Sequence, residues 1–227
     1  MKTGHSLQGP NPFAIAEVVA GYEAWYETTG RRADRLEKAL LRRLVGSFPC
    51  AQTILEVGCG TGHFTRWLAT HRRVASGREK RLHTVGLDLS QPMLAEAVSR
   101  GGPPCVQGDA LALPFPARAF DLIALITTLE FLTDPRQALI EALRVARQGL
   151  ILGVLNRQSR LGRQLRGKGG PVWEAARFFT PAELVQLVKD SAPRRPMRIR
   201  WRTTLSFWPW PWQLPWGGFI GLLAQLL

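Results

Sequence analysis

The sequence contains few cysteines. Its three, Cys50, Cys59 and Cys105, are scattered through 227 residues, which is too few for a disulfide framework and gives no ligand spacing for a zinc cluster. Each lies beside an apolar segment, so we predict reduced core thiols and no metal site. A nucleophilic role for Cys59 is disfavoured because no neighbouring base is evident.

Long apolar runs are also missing. The most apolar stretch, residues 207–227, is interrupted by three prolines, the last at Pro215, and the remainder is shorter than the roughly 20 residues that a membrane-spanning helix needs. Residues 1–12 are polar and lack the apolar core of a signal peptide. These absences predict no transmembrane span and a cytoplasmic location.

Acidic residues are scarce relative to basic ones. There are 17 Asp and Glu residues against 30 Lys and Arg residues, a net charge of +13. The basic residues recur in four blocks, residues 31–43, 72–81, 157–168 and 194–202. Such blocks favour a polyanion, either RNA or an anionic membrane surface, and no DNA partner is expected. A GC-rich coding sequence would also enrich arginine.

A glycine-rich motif follows the first predicted strand. Residues 54–64 read ILEVGCGTGHF, an apolar strand that runs through Gly58, Cys59, Gly60 and Gly62 into a helix. Glycine lacks a β-carbon, so the turn can bend sharply and bring its backbone amides close to a ligand. The motif predicts a nucleotide-type cofactor at the end of the strand, and a ligand-free strand-turn-helix junction is the alternative.

Glu56 helps to choose among such cofactors. The spacing Gly-x-Gly-x-Gly differs from the Gly-x-Gly-x-x-Gly fingerprint of dinucleotide binding. The Glu56 carboxylate would repel a pyrophosphate, whereas it would attract an ammonium or sulfonium group. S-Adenosylmethionine carries both cations, and we therefore predict this cofactor rather than NAD.

Two further acids follow predicted strands. Asp88 ends the apolar stretch 82–87, where a carboxylate can accept hydrogen bonds from both hydroxyls of a ribose. Its alternative role is to cap the next helix together with Ser90. Asp109 follows the segment 105–107, where it can accept from an exocyclic adenine amine, although alone it would be a turn aspartate.

Together, the glycine turn and the three acids resemble the class I S-adenosylmethionine-dependent methyltransferases, specifically the group that includes the ubiquinone and menaquinone biosynthesis C-methyltransferases. The segments 113–123 and 134–149 extend the resemblance. It implies an α/β fold with a Rossmann-like, seven-stranded, mostly parallel sheet, an antiparallel last strand, helices on both faces and an N-terminal helical cap. Contacts to S-adenosylmethionine are implied for Glu56 and the glycine turn at the methionine moiety, for Asp88 and Leu89 around the ribose and adenine, and for Asp109 and Ala110 at the adenine edge. The region 127–130, which begins with Thr127, would line the passage to the acceptor.

One departure from that group is the distance from Gly58 to Asp88. It is 30 positions, against about 20 in the comparable ribose-binding arrangement. We interpret residues 71–81 as an inserted, exposed basic loop.

The predicted elements alternate along one domain. Two helices at 14–26 and 32–45 precede strands at 53–57, 82–87, 104–107, 120–126 and 150–155, with intervening helices at 61–70, 91–100 and 135–147, a last helix at 181–189, and strands at 197–207 and 216–223. This alternation predicts a parallel sheet with right-handed crossovers. The domain divides into a helical cap (1–48), a cofactor-binding core (49–155) and a C-terminal part that completes the sheet (156–227).

Residues 207–216 concentrate tryptophan and proline. Prolines lack the N–H that a central strand donates, so we predict a loop. It folds over the edge of the sheet, covers an apolar acceptor as a lid, or touches a membrane interface, where tryptophan is favoured.

The acceptor side offers several candidates. His63 and Glu130 are candidate acid–base residues because they follow the glycine turn and the fourth strand, with a second-layer or solvated role as the alternative for each. An aromatic helix carries Tyr22, Trp25 and Tyr26, which either bound the substrate pocket or pack in the core.

Three functions remain open from the sequence. The first is methyl transfer to a small, apolar or carboxylated molecule by in-line displacement at the sulfonium methyl. The second is an RNA methyltransferase that uses the basic blocks; the segment 127–130, Thr-Thr-Leu-Glu, lacks the Asn/Asp-Pro-Pro-Tyr element of base-amine methylation. The third is a non-catalytic cofactor-binding assembly factor.

Overall fold

The structure, a computed structural model, describes residues 11–75, 78–205, 208–212 and 214–227, and the side chains of residues 72–80 and 205–213 are outside the description. The helices are α1 (Ala16–Glu27), α2 (Arg31–Gly46), α3 (His63–Ala69), α4 (Gln91–Ser99), α5 (Pro135–Val145), α6 (Arg160–Arg166), α7 (Pro171–Ala175) and α8 (Pro181–Ser191). The strands are β1 (Thr53–Val57), β2 (Arg72–Ala75), β3 (Arg78–Arg81), β4 (His83–Asp88), β5 (Cys105–Gln107), β6 (Phe120–Ile126), β7 (Ala146–Leu155), β8 (Met197–Leu205), β9 (Trp208–Trp212) and β10 (Phe219–Leu226). Short 3₁₀ turns cover Pro12–Ala14 and Leu129–Phe131.

Eight of these strands form one sheet in the order β5-β4-β1-β6-β7-β10-β8-β9. The pairs from β5 to β7 are parallel, and β10 is antiparallel to both β7 and β8. The predicted Rossmann-like sheet with an antiparallel last strand is therefore confirmed, and β9 adds an eighth strand at one edge. Parallel strands are covered on both faces, which explains why β6 is buried almost throughout.

Helices cover the two faces of the sheet and enclose two apolar cores. On one face, α2 contributes Leu40 and Leu44. On the other, α5 and α8 contribute Leu139 and Leu184. The N-termini of α5 and α8 are capped by side chains. At α5, Asp134 accepts a hydrogen bond from the Gln137 amide at 2.9 Å, and α8 begins with the predicted capping box.

The prediction of a loop at residues 71–81 is wrong for most of its length. The strands β2 and β3 pair antiparallel as a separate two-stranded sheet, with Ala75 opposite Arg78. A two-residue connection that ends in glycine is a strong hairpin signal, and Ser76 and Gly77 provide this signal in the sequence. The dense positive charge of the segment obscured it.

The prediction of a loop at residues 207–216 is also wrong for residues 208–212. These residues form β9, an edge strand paired with β8. Proline is excluded from central strands but is compatible with an edge strand, where one side of the backbone needs no partner. Residues 207 and 213 lie outside the described part of the chain. Two short helices, α6 and α7, were not predicted from the sequence. No helix of the described residues is long and apolar enough to cross a membrane.

A buried charge network fastens the helical cap to the glycine turn. Glu23 in α1 is 4% exposed. Its carboxylate accepts hydrogen bonds from Arg66 at 2.7 Å and from the Thr61 hydroxyl at 2.5 Å. Burial raises the pKa of Glu23, but the hydrogen bonds from His63, Thr61 and Arg66 outweigh it and lower that pKa to about 2. The cap is thus bound to the turn and to α3 by one desolvated carboxylate.

We expect Glu23→Gln to destabilise the protein by about 3 to 5 kcal/mol, because removing one partner of a buried ion pair leaves the other unpaired. Since the folded pKa of Glu23 is about 2 and its ordinary value is 4.5, its contribution is present above pH 4.5 and is lost as the pH falls toward 2. The variant should therefore lose less stability on acidification than the parent. Urea unfolding at pH 7 and pH 3 measures both effects.

Glu27→Gln provides the matched control, because Glu27 is an exposed residue of the same helix. It should change the free energy of unfolding by less than about 0.5 kcal/mol. Equal stabilities of the two variants at pH 7 would contradict the fastening role of Glu23.

Candidate cofactor site

The glycine turn follows β1 and closes against β4. The amides of Gly58 and Cys59 donate to the Leu87 carbonyl at 2.7 and 3.0 Å. Gly58 has a φ of +74°, and a β-carbon built there would lie 2.3 Å from the methyl carbon of Thr128. Both the backbone conformation and the space therefore require glycine at this position.

Asp88 connects the turn to α4. One oxygen of its carboxylate accepts from the Gly60 amide at 2.7 Å and the other from the Ser90 amide at 2.8 Å. Burial raises the pKa of Asp88, and the bonds from Ser90 and Gly60 oppose that rise. Each carboxylate oxygen can accept more than one hydrogen bond, so Asp88 retains capacity for a ligand while it holds the turn in place.

A cavity of about 470 Å³ lies at this carboxyl edge of the sheet. The predicted cofactor residues in its wall are Gly58, Gly60, Asp88, Leu89, Asp109, Ala110 and Thr127. Asp109 is exposed, and one oxygen of its carboxylate accepts from the Leu111 amide at 2.8 Å. Parallel strands end at a common edge, and for this reason residues from four separate segments meet around one space.

Three predicted cofactor residues lie behind this wall instead of in it. Glu56 is 1% exposed, accepts a hydrogen bond from the Thr65 hydroxyl, and has a pKa that burial raises to about 8. Cys59 is buried, and its sulfur and that of Cys105 both approach Gly86. Gly62 begins α3 and packs on α4. Contact between Glu56 and the methionine moiety stays a prediction.

The three cysteines were predicted to be buried core thiols, but only one of them is buried. Cys59 is buried, Cys105 is half-buried and Cys50 is exposed. Cys50 lies in the connection before β1, outside the apolar part of that strand, so proximity to an apolar segment in sequence did not imply burial.

Thr127, in the wall, carries local strain. Its φ is +50°, which is unusual for a β-branched residue. The conformation is held by the bond from its amide to the Gly153 carbonyl at 2.7 Å. Residues with strained backbone conformations are frequent at functional sites. Here the conformation of Thr127 turns the chain from the end of β6 back over the cavity.

The two acid–base candidates have other contacts. His63 donates toward Asp34 at 2.7 Å and stacks on Tyr26 with 3.8 Å between ring centroids. Desolvation lowers the pKa of His63, but its hydrogen bonds with Asp34 and Glu23 outweigh that effect and raise it. Neither His63 nor Glu130 is part of the described cavity wall.

Glu130 is fully buried behind that wall. Its carboxylate accepts from the Leu155 amide at 2.6 Å, and burial raises its pKa to about 8. Chemical roles for His63 and Glu130 stay predictions.

The aromatic helix contributes only Tyr22 to this wall. Tyr26 is buried between α1 and α3, whereas Trp25 is 39% exposed and covers Gly30. Burial raises the pKa of Tyr22 to about 12, so its hydroxyl stays protonated at neutral pH. The three aromatic side chains that were predicted to bound the pocket thus lie in different places: one in the cavity wall, one in the core and one at the surface.

Several wall residues were not predicted: Asn11, Phe13, Met93, Leu111, Phe131, Leu132 and Thr133. Phe13 packs edge-on against Phe131, with ring centroids 4.8 Å apart, and its carbonyl accepts from the Ser90 hydroxyl at 2.7 Å. These contacts join segments far apart in sequence. A pattern within one segment carries no signal for them, although Met93 in the first turn of α4 could have been inferred from its distance to Asp88.

Comparisons with known proteins agree with this geometry. A family described as a methyltransferase domain matches residues 55–153. A solved S-adenosylmethionine-dependent methyltransferase of Thermotoga maritima superposes with a TM-score of 0.75 and 27% identity, over 92% of this chain and 96% of that one. The match therefore extends over the cap and the C-terminal strands as well as the core.

Curated sequences give two further relatives. An uncharacterised protein of Mycobacterium tuberculosis is 35% identical over 193 residues, which are 82% of this chain and 61% of that protein. The chain thus spans about 61% of the length of this relative. A ubiquinone/menaquinone biosynthesis C-methyltransferase of Roseobacter denitrificans is 37% identical over 112 residues, 46% of this chain and 42% of that enzyme.

We expect Gly58→Ala to destabilise the protein by about 1 to 3 kcal/mol for two reasons. Alanine would have to adopt a left-handed backbone conformation, and its β-carbon would overlap the Thr128 side chain. Thr128→Ala in the same chain should restore part of that loss, because it removes the two closest atoms. Urea unfolding of the two single variants and the double variant measures the coupling. Strictly additive losses would show that the two side chains do not compete for one space.

Proposed function

Because this chain belongs to the class I S-adenosylmethionine-dependent methyltransferases, we propose that it transfers the methyl group of S-adenosylmethionine to a small-molecule acceptor. The observation that carries the proposal is the placement of Asp88. Its carboxylate is fixed by two backbone amides and is part of the wall of a 470 Å³ cavity that also contains the glycine turn.

The residues of the cavity fit this cofactor. Asp88 would hold the ribose hydroxyls, and Asp109 would accept from the adenine amine. Gly60 leaves room for the ligand, because a β-carbon there would point into the space beside the wall residues Met93 and Tyr22. When bound, S-adenosylmethionine supplies a methyl group that its sulfonium already activates. The protein then needs mainly to align the acceptor and to exclude water.

An aromatic cluster supports exclusion of water at this cavity. Phe13, Tyr22 and Phe131 form one side of the wall, and Phe13 contacts both of the other rings edge-on. Such a wall suits the apolar part of a small acceptor. Tyr22, whose pKa is raised to about 12, can donate a hydrogen bond to an acceptor but is a poor base at neutral pH.

The RNA alternative depends on whether the basic blocks share one surface. The paired strands β2 and β3, which carry the block 72–81, precede β4 and so lie at the amino edge of the sheet, opposite the cavity. The block 157–168 follows β7 at the carboxyl edge, and the block 194–202 belongs largely to β8. Because the basic blocks occupy both edges of the sheet and not one common face, they give weak support to an RNA platform.

The predicted membrane contact by residues 207–216 stays a prediction, because the side chains of residues 207–213 lie outside the description.

We expect Asp88→Asn to weaken S-adenosylmethionine binding about 10- to 100-fold, because a hydrogen bond to a charged group is worth more than one to a neutral amide. Isothermal titration calorimetry with S-adenosylmethionine measures the effect. Asp190→Asn is the matched control: Asp190 is exposed near the end of α8 and should bind with the affinity of the parent. Equal affinities of the parent and Asp88→Asn would contradict the assigned ribose contact.

The class of acceptor is tested by transfer of a tritiated methyl group from S-adenosylmethionine to separated fractions of RNA and of small metabolites. We expect label in the small-molecule fraction with the parent and a reduced rate with Asp88→Asn. Label only in RNA would establish the alternative. Cofactor binding without label in either fraction would support a non-catalytic assembly factor.

A further inference from the structure

A second cavity, of about 620 Å³, lies at the same carboxyl edge of the sheet. Its wall is formed by the N-terminal half of α2, the first turn of α6 and the residues that precede β10. We call it the arginine-rimmed cavity, after Arg32, Arg160 and Arg163 in its wall. Its volume is in the range of small-molecule sites, and its described wall shares no residue with the cofactor cavity.

Glu37 is a buried acid in this wall. It is 4% exposed, and among the described residues its carboxylate has no hydrogen-bond partner. Burial raises its pKa to about 7, and the nearby charge of Asp34 adds to the rise. A buried carboxylate without a partner is costly. The protein retains one here, facing a space large enough for a ligand that could supply the missing donor.

The outer part of the cavity has the opposite charge. Arg32 and Arg160 are exposed, and within the described residues neither side chain has an ion-pair or hydrogen-bond partner. The Arg163 side chain donates to the Gln158 carbonyl at 3.0 Å and, among the described residues, has no acidic partner. Guanidinium groups that are not neutralised by acids concentrate positive potential and suit a carboxylate or phosphate.

Part of the wall is apolar. Leu36, Leu161 and Phe219 contribute to it, and Trp216 belongs to the same wall with 57% of its surface exposed. The wall thus combines exposed cations, apolar side chains and one buried acid. A ligand with an anion at one end, an apolar body and a hydrogen-bond donor at the other end would complement all three.

We propose that the arginine-rimmed cavity is a second ligand site, which binds an amphipathic small molecule whose carboxylate or phosphate meets the arginines and whose hydroxyl or amine donates to Glu37. This binding needs neither the cofactor nor the proposed methyl transfer. Glu37 is a specificity-determining residue here, since it selects ligands that carry a donor at the buried end.

Three matched probes test the recognition in the full-length chain: 4-hydroxyphenylacetate, phenylacetate, which lacks the donor, and 4-methylphenol, which lacks the anion. Saturation-transfer NMR titrations give their dissociation constants. We expect 4-hydroxyphenylacetate to bind at least about tenfold more tightly than either analogue, because one buried hydrogen bond to a charged group is worth about that factor. Equal binding of phenylacetate would overturn the role of Glu37, and equal binding of 4-methylphenol would overturn that of the arginines.

Variants separate this site from a structural effect. Glu37→Gln should weaken 4-hydroxyphenylacetate about tenfold or more and leave phenylacetate unchanged, whereas a merely structural role would affect both probes alike. Arg160→Gln should weaken both carboxylates about threefold. The control Arg35→Gln, an exposed arginine of α2 outside the cavity wall, should change neither.

The failure of this proposal is distinguishable from failure of the proposed function. With Asp88→Asn, cofactor binding should fall while 4-hydroxyphenylacetate binding persists, because the two cavities share no described wall residue. If the parent binds S-adenosylmethionine but discriminates none of the probes, the second ligand site is overturned and the methyltransferase proposal stands. If it discriminates the probes but transfers no methyl group, the second ligand site stands and the methyltransferase proposal fails.

Discussion

The two hydrogen bonds that Asp88 accepts from the amides of Gly60 and Ser90 are the constraint on which the cofactor site depends. They join the ends of β1 and β4 and the start of α4 through one carboxylate. Without them, the glycine turn and α4 would present unpaired amides at the edge of the sheet, which buried backbone does not tolerate. The same carboxylate that would bind the ribose therefore also builds the place where the ribose binds. Binding and local stability are coupled at this residue.

A second set of charges helps to assemble the site. Glu23, Thr61 and Arg66 tie the cap to the glycine turn, and His63 joins this network from the start of α3. His63 follows the turn directly, and in sequence that position resembles one for chemistry. In the structure, its ring links two acids of the cap. The position of a titratable residue after a binding motif thus does not distinguish a reacting group from a fastening one.

The parts of the fold that depend on local pattern could be predicted from the sequence. The apolar runs of β1, β4 and β6, the glycine turn and the capping box of α8 are each encoded within a few consecutive residues. Two segments were predicted wrongly because their sequence patterns are compatible with more than one structure. The charged segment 71–81 fits an exposed loop as well as a hairpin, and the alternating Trp and Pro of residues 208–212 fit a loop as well as an edge strand. The wall contributed by Phe13 and Phe131, and the cavity wall that Glu37 shares with arginines of α6, depend on the proximity of distant segments, which no local pattern records.

The last strand of the sheet has a consequence for association between molecules. β9 forms the outer margin of the eight-stranded sheet, and two of its five residues are prolines. A row of free backbone donors along such a margin would template a strand from a second molecule and allow the sheet to grow. Proline interrupts that row at every other position. The two prolines therefore remove donors from this edge, which disfavours growth of the sheet by a strand from a second molecule.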